Sequence, residues 1–354
     1  KYWIGAAAET ARWCSVFAQL YVGGKARGVH AFVVQIRRDE ERSSDPNAAQ
    51  LGARIGGDSM PGVTIADCGD KVGLQGVDNG RIWFDRVEVP RENLLCRFAS
   101  VDRNGTYKSS LKSADELFAR QLGALTGGRV SIAVGAVNQS KLGITIAVRY
   151  ALSRRAFGPP GAPEVPLMFY QSHQLRLMPP LATTYVMAVA ANRLKQLWWN
   201  CEDGVPKQVH VLSSGFKALF TWHMRDCLQQ CREACGGQGY KSENRIAPIK
   251  NDRDVMMTFE GDNSVLLQQV ARSLLAEFGA ASSSKNPQPE HKSAQDNARP
   301  SYSSSLSALG VPCGRKLLSK HLSATQTKTF GPDCDDDKLG SFLLTAFRVR
   351  TGVL

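Results

Sequence analysis

Gly123-Ala124-Leu125-Thr126-Gly127-Gly128-Arg129-Val130 opens a segment that runs to Ser153 without a proline. Along it Val130, Ala133, Val134, Val137, Leu142, Ile146 and Tyr150 recur near one stripe at helical spacing, so the segment reads as a long amphipathic helix. Gly158-Pro159-Pro160-Gly161 then breaks the chain. Two more helical segments follow, over about 166–200 and 207–234, separated by Glu202-Asp203-Gly204-Val205-Pro206. Pro179-Pro180 predicts a kink or an interruption in the first of them. A fourth helix is expected from about Asp262 to Phe278. Four long helices with short connections predict a bundle.

Upstream the period changes. Gly28 to Ile36 is a buried β run bounded by Gly23-Gly24 and then by charge, Arg38 to Gly62 reads as an exposed loop, and Val63-Thr64-Ile65-Ala66 begins another strand. Val77-Asp78-Asn79-Gly80 is expected to turn the chain into an alternating strand from Arg81 to Val89, ended by Pro90-Arg91-Glu92-Asn93. Downstream, Ser282 to Ser305 is rich in Ser, Pro, Asn and Lys and reads as a flexible linker. The tail from Leu306 to Leu354 suggests no fold.

At 354 residues, 43% hydrophobic and 21% charged, the chain is long enough for more than one globular core. No apolar run is long enough to span a bilayer. The formal net charge of +12 suits an anionic partner. Its basic residues are scattered, with no dense block and no interleaved aromatics, which favours a polyphosphorylated small molecule over nucleic acid. Nine cysteines lack a disulfide-framework spacing and are expected to be reduced. His223, Cys227, Cys231 and Cys235 recur every four residues but extend over roughly 18 Å of helix, too far for one ion. They read as packing, and no metal is expected. A first residue that is Lys, with no charged-then-apolar leader, suggests a fragment in which no targeting signal is visible. Gly352-Val353-Leu354 is not a Ser-Lys-Leu address.

Four segments carry candidate chemistry. Thr258-Phe259-Glu260-Gly261-Asp262-Asn263 sets a carboxylate beside a glycine ahead of an apolar helix, as a proton-abstracting base requires. Glu260 is equally compatible with a first-turn glutamate favouring the helix dipole. Cys235-Gly236-Gly237-Gln238-Gly239-Tyr240 is either a glycine-rich helix terminus or a turn whose amides approach a phosphate. Arg154-Arg155-Ala156-Phe157-Gly158 either complements a helix C-terminus or clamps a pyrophosphate. Tyr170, His173, Gln174 and Arg176 lie mostly on one helix face. Lys1-Tyr2-Trp3-Ile4-Gly5 is the fourth segment.

In this order, and together with Gly73 to Gly80, Ile82-Trp83-Phe84-Asp85, Val89 to Leu95 and Gly123 to Val130, these segments resemble the acyl-CoA oxidase family over roughly residues 1–278. The resemblance implies an α+β multidomain chain. A β-rich, β-barrel-like middle domain would span 1–112 and an antiparallel four-helix-bundle domain 113–278, with a linker over 279–305 and an unassigned tail over 306–354. The family's N-terminal helical domain would be missing.

Further, it implies FAD bound between the subunits of a homodimer, a fatty acyl-CoA substrate, and O2 reduced to H2O2 in peroxisomal fatty-acid β-oxidation. Glu260 matches the family's catalytic base. Its own backbone N–H would help to polarise the thioester carbonyl, which makes Glu260 and Gly261 the substrate-binding pair. Trp3 and Gly5 match the segment against the isoalloxazine. Arg155, Phe157, Gln174, Cys235, Gly236, Gly237, Gln238, Gly239 and Tyr240 match the part that reaches the partner's FAD. The alternatives are an acyl-CoA dehydrogenase passing electrons to an electron-transfer flavoprotein, and an inactive truncated homologue that binds flavin or CoA.

Overall fold

The computed structural model describes residues 1–38, 57–123, 125–201 and 205–283. Most of the expected loop from Arg38 to Gly62, and the tail, lie outside the described residues. The chain divides into two compact units. One is Lys1–Ala124 with Asn251–Asp254; the other is Leu125–Lys250 with the described residues from Val255 onward.

In the first unit, β1 (Ile4–Gly5), β4 (Val63–Asp67) and β5 (Asn79–Phe84) form an antiparallel sheet in the order β1-β5-β4. The strands β2 (Trp13–Val22) and β3 (Lys25–Gln35) form a hairpin. Its turn uses Gly23 and Gly24 at φ of 57° and 74°, where a β-carbon would be strained. Val34, Ile36, Val63 and Ile82 are buried in one cluster. A short ribbon, β6 (Ala99–Val101) with β7 (Tyr107–Ser109), precedes α1 (Ala114–Leu122). Ser113 caps α1 by accepting the Glu116 N–H at 3.1 Å, and α1 packs on β3.

Two sequence expectations fail in this unit. Asn79-Gly80 is not a turn: it lies in β5, where Gly80 pairs with Ile4 and Asn79 with Gly5. The glycine is needed for contact, because a β-carbon on Gly80 would come within 2.6 Å of the Ala8 nitrogen. The alternating run 81–89 is a strand only as far as Phe84. Val87 and Val89 still pack on the core, which explains their alternation without a ladder.

The second unit holds α2 (Leu125–Ser153), α3 (Gln171–Trp199), α4 (Lys207–Ala234) and α6 (Asn263–Ser283), and α5 (Ile246–Asp254) contributes to both units. A two-stranded ribbon, β8 (Arg155–Ala156) with β9 (Val165–Pro166), links α2 to α3. Helix α2 packs on α3 and α4, α3 on α4, and α6 on α4. Ala133, Ala136, Ala147 and Ala151 of α2 are fully buried, so the helices approach closely. A β-carbon on Gly143 would lie 2.6 Å from Leu228 Cδ2. Leu177, Leu194, Phe220 and Leu228 are also buried, each worth about 1.5–3 kcal/mol of transfer free energy.

Leu142, placed on the buried stripe from sequence, is half exposed. At about 100° per residue it has rotated roughly 120° from Val130, and the buried face passes instead through Gly143 and Ile144. Pro179 and Pro180 lie inside an uninterrupted α3. Tertiary packing holds the helix there, and one turn later the Thr184 hydroxyl donates back to the Pro180 carbonyl at 2.7 Å. Helix α6 runs on to Ser283, so Ser282 and Ser283, read as linker, are helical.

The same Thr184 hydroxyl meets His223 Nε2 at 2.8 Å, tying α3 to α4. Burial pushes the His223 pKa down from 6.5 to about 4, with Asp226 opposing weakly. An unfolded chain therefore takes up a proton here that the folded chain refuses. The stability contributed by the neutral ring is complete above pH 6.5 and lost as pH falls towards 4. A series of melts across this window should show Tm falling in the wild type and falling less in His223→Gln. Equal slopes would show that other groups govern the acid limb.

Candidate active site

Helix α6 begins at Asn263 because Asp262 caps it, its Oδ1 accepting the N–H of Ser264 at 2.9 Å and of Val265 at 3.4 Å. Glu260 therefore lies ahead of the helix, and the reading of it as a first-turn residue is wrong. Its φ is +57°, the left-handed region that costs a non-glycine residue about 1 kcal/mol or more, and Gly261 follows at +106°. Two successive positive φ values turn the Glu260 side chain back towards α2. The carboxylate lies against Gly128, where a β-carbon would sit 2.8 Å from Oε1. Oε2 is buried and has no hydrogen-bond partner among the described residues.

Two buried cations hold this turn. From α2, Arg129 Nε donates to the Glu260 carbonyl at 3.0 Å. From α4, Lys217 Nζ donates to the Gly261 carbonyl at 2.8 Å and to Asn263 Oδ1 at 2.9 Å. Asn263 in turn donates to Thr221 Oγ1 at 2.9 Å. Burial lowers the Arg129 pKa, opposed by the negative charge of Glu260. The Lys217 pKa is pushed down to about 8, first by burial. His210, 3.5 Å from Arg129 Nη1, is driven towards neutrality by burial and by that guanidinium. None of Arg129, His210, Lys217 or Asn263 stands out as a site residue from sequence. Arg129 and Asn263 lie inside quoted motifs without a role assigned to them, and the lone lysine between Leu212 and Phe220 of α4 is the signal that could have found Lys217.

At the far end of α4, Cys235 is buried and Gly236 takes φ of +56° into a short 3-10 turn, Gly236–Tyr240. Nothing lies within 4 Å of where a β-carbon on Gly236 or Gly237 would be, so this backbone is open to a close ligand. Gly239 is instead buried and needed for packing. The residues from Cys235 to Gln238 line a groove of about 640 Å³ with Arg154, His173 and Arg176. His173 Nε2 is buried there without a partner among the described residues. Two guanidinium groups, an orphaned ring nitrogen and open backbone fit a phosphate-bearing ligand. Arg176 also lies 3.6 Å from Glu233.

The flanking residues are arranged differently. Arg155 spends a donor on the Glu164 carbonyl at 3.1 Å and Gln174 donates to the Met168 carbonyl at 2.9 Å. Phe157, at φ of +54°, and Tyr240 are more than four-fifths exposed. Glu260 is not among the residues lining the groove. Trp3 and Gly5 belong to the first unit: Trp3 is exposed at φ of +62°, and Gly5 lies in β1. The chain just after them is clamped from two sides. Asp78 accepts the amides of Ala8, Glu9 and Thr10 at 2.9, 3.0 and 3.2 Å. Arg37 donates to the carbonyls of Ala7, Ala8 and Ala11 at 2.8, 2.7 and 2.6 Å.

Among the described residues no cluster of three His, Cys, Asp or Glu side chains could hold a metal ion, and no helix is long and apolar enough to cross a membrane. Cys227, Cys231 and Cys235 are buried in the helical core.

Residues 122–275 match the family model of the acyl-CoA oxidase C-alpha1 domain. The peroxisomal acyl-coenzyme A oxidase 3 of Arabidopsis thaliana is 50% identical over 279 residues, 78% of this chain and 39% of that protein. Thus the chain spans about two fifths of the length of this relative. Among solved structures, acyl-CoA oxidase 1 of Yarrowia lipolytica superposes with a TM-score of 0.73 at 29% identity, covering 99% of this chain and 53% of that one. Acyl-CoA oxidase-1 of Caenorhabditis elegans, complexed with FAD and ATP, gives 0.67 at 29%, covering 82% and 41%.

Proposed function

Because this chain belongs to the acyl-CoA oxidase family, we propose that it is part of an FAD-dependent enzyme oxidising fatty acyl-CoA to trans-2-enoyl-CoA, with O2 reduced to H2O2, and that Glu260 is its base. The observation that carries this reading is the buried Glu260 Oε2, which has no partner and sits on a backbone turn held by Arg129 and Lys217. A carboxylate oxygen kept out of water with its lone pairs unused is poised to accept a proton.

The proton would come from the carbon next to the thioester, which is far too weak an acid to lose it unaided. Stabilising the developing enolate oxygen must supply the difference. The Glu260 main-chain N–H makes no hydrogen bond among the described residues, so it is free to grip that oxygen. Gly261, without a side chain, lets the thioester come close. Bound FAD would supply the hydride acceptor and hand the electrons to dioxygen.

Trp3 and Gly5 would lie against the flavin ring system. Arg155, Phe157, Gln174 and Cys235 to Tyr240 would reach the FAD of the partner subunit in a homodimer, and the cationic groove supports the phosphate part of that assignment. In the same reading, residues 1–112 are a β-barrel-like middle domain and 113–278 an antiparallel four-helix α domain, followed by a linker and an unassigned tail. The peroxisome, named for the Arabidopsis relative, is the proposed location.

The full-length protein should carry flavin absorbance, be bleached by acyl-CoA, and release H2O2 with no electron carrier present. Bleaching without H2O2 would make it a dehydrogenase. Absence of flavin would sink the enzymatic reading.

A further inference from the structure

We propose that Lys217 is a positioning residue for the reaction: by gripping the Gly261 carbonyl and the Asn263 side chain, its ammonium fixes the turn that aims the Glu260 carboxylate. The proposal rests on Glu260 being the base and deepens that assignment.

Lys217 is fully buried, on the side of α4 that faces the start of α6. Burying an ammonium costs several kcal/mol unless it is well paired. Yet its two hydrogen-bond acceptors are neutral oxygens, the Gly261 carbonyl at 2.8 Å and Asn263 Oδ1 at 2.9 Å. The nearby Asp262 carboxylate is occupied in capping α6. For packing alone, a leucine or methionine would serve this position better. What the ammonium does is geometric. Glu260 has a positive φ, a conformation that costs a non-glycine residue and relaxes unless something outside the turn holds it, and Gly261 follows it at positive φ. Their two successive carbonyls are held from two different helices, Glu260 by Arg129 and Gly261 by Lys217. Asn263 extends the Lys217 side of the clamp into α4 through Thr221.

The charged groups around Lys217 make the clamp sensitive to pH. Burial and Arg129 of α2 push its pKa down, to about 8, while Asp262 and Glu260 on the loop oppose them. On α4, His210 is held towards neutrality and adds no charge. As pH rises through 8 the ammonium becomes an amine, its hydrogen bonds lose their charge assistance, and the turn loosens.

The test uses the full-length, flavin-loaded enzyme. Lys217→Met should retain flavin absorbance and lower kcat about 100-fold, the scale of a 1 Å misplacement. KM should stay within about twofold, since the loss falls on the chemical step. A crystal structure of the variant should show the Glu260 carboxylate moved from Gly128. In the wild type, kcat should fall as pH rises through about 8. Asn263→Asp, which sets a carboxylate beside the ammonium, should move that limb upward. A folded Lys217→Met with wild-type kcat overturns the proposal. So does a wild-type profile with no limb near 8, or a limb that Asn263→Asp leaves in place, even if Lys217→Met does not fold. Glu260→Gln is the control. An inactive Glu260→Gln beside an active Lys217→Met sinks only the role of Lys217, whereas an active Glu260→Gln sinks the base itself.

Discussion

Glu260→Gln should bind flavin and fold as the wild type does while acyl-CoA oxidation drops by about 10²–10⁴-fold, the usual contribution of a positioned base. The substitution preserves the shape of the side chain and its place against Gly128. The backbone clamp is also unaffected, because Arg129 and Lys217 hold main-chain carbonyls that an amide side chain does not alter. What disappears is the anionic oxygen. A glutamine at this point offers no basic lone pair to a carbon acid, so the loss should appear in kcat with KM little changed. Folding should not suffer, since a buried carboxylate oxygen without a partner contributes nothing that an amide lacks. Stopped-flow bleaching of the flavin by acyl-CoA measures the step directly. Wild-type bleaching in the variant would mean that some other group takes the proton.

Gly239→Ala should be the most damaging single methyl in the helical unit. The added carbon would lie 1.9 Å from the Arg232 carbonyl oxygen and 2.9 Å from its carbonyl carbon. Both atoms are backbone within α4 and cannot swing aside, so either the end of that helix or the 3-10 turn must shift. Overpacking of this kind costs about 3 kcal/mol. In a unit of this size that is on the order of 5–10 °C of Tm. Gly237→Ala is the matched comparison: nothing lies within 4 Å of its β-carbon, and it should melt with the wild type. Calorimetry of the pair decides the matter. Equal Tm values would show that the turn yields at no cost.

Local regularity is what the sequence displayed well. The β run before Ile36, the strand at Val63, and the four long helices are where their periodicities place them, because those patterns arise from one face of an element meeting one core. The misreadings share a cause: each residue answers to a distant partner. Asn79-Gly80 resembles a hairpin turn but is spent on pairing with Ile4 and Gly5, more than 70 positions earlier. Pro179-Pro180 resembles a break, yet packing against α2 and α4 carries the helix through. At the candidate site the acidic residue beside a glycine was visible as a local motif. Its clamps were not, since Arg129 reaches a carbonyl 131 positions away and Lys217 one 44 positions away. A hydrogen bond to main chain leaves no mark on the identity of the residue that accepts it.

The sulfur atoms stacked along the last turns of α4 have a consequence should the proposed reaction release peroxide beside them. Only the thiolate form of cysteine attacks such oxidants at an appreciable rate. The hydrogen bond with Cys227, reinforced by burial, raises the Cys231 pKa, and burial alone raises that of Cys235. Both thiols therefore stay protonated at neutral pH and sluggish as nucleophiles, which spares the helix end beside the cationic groove from sulfenylation.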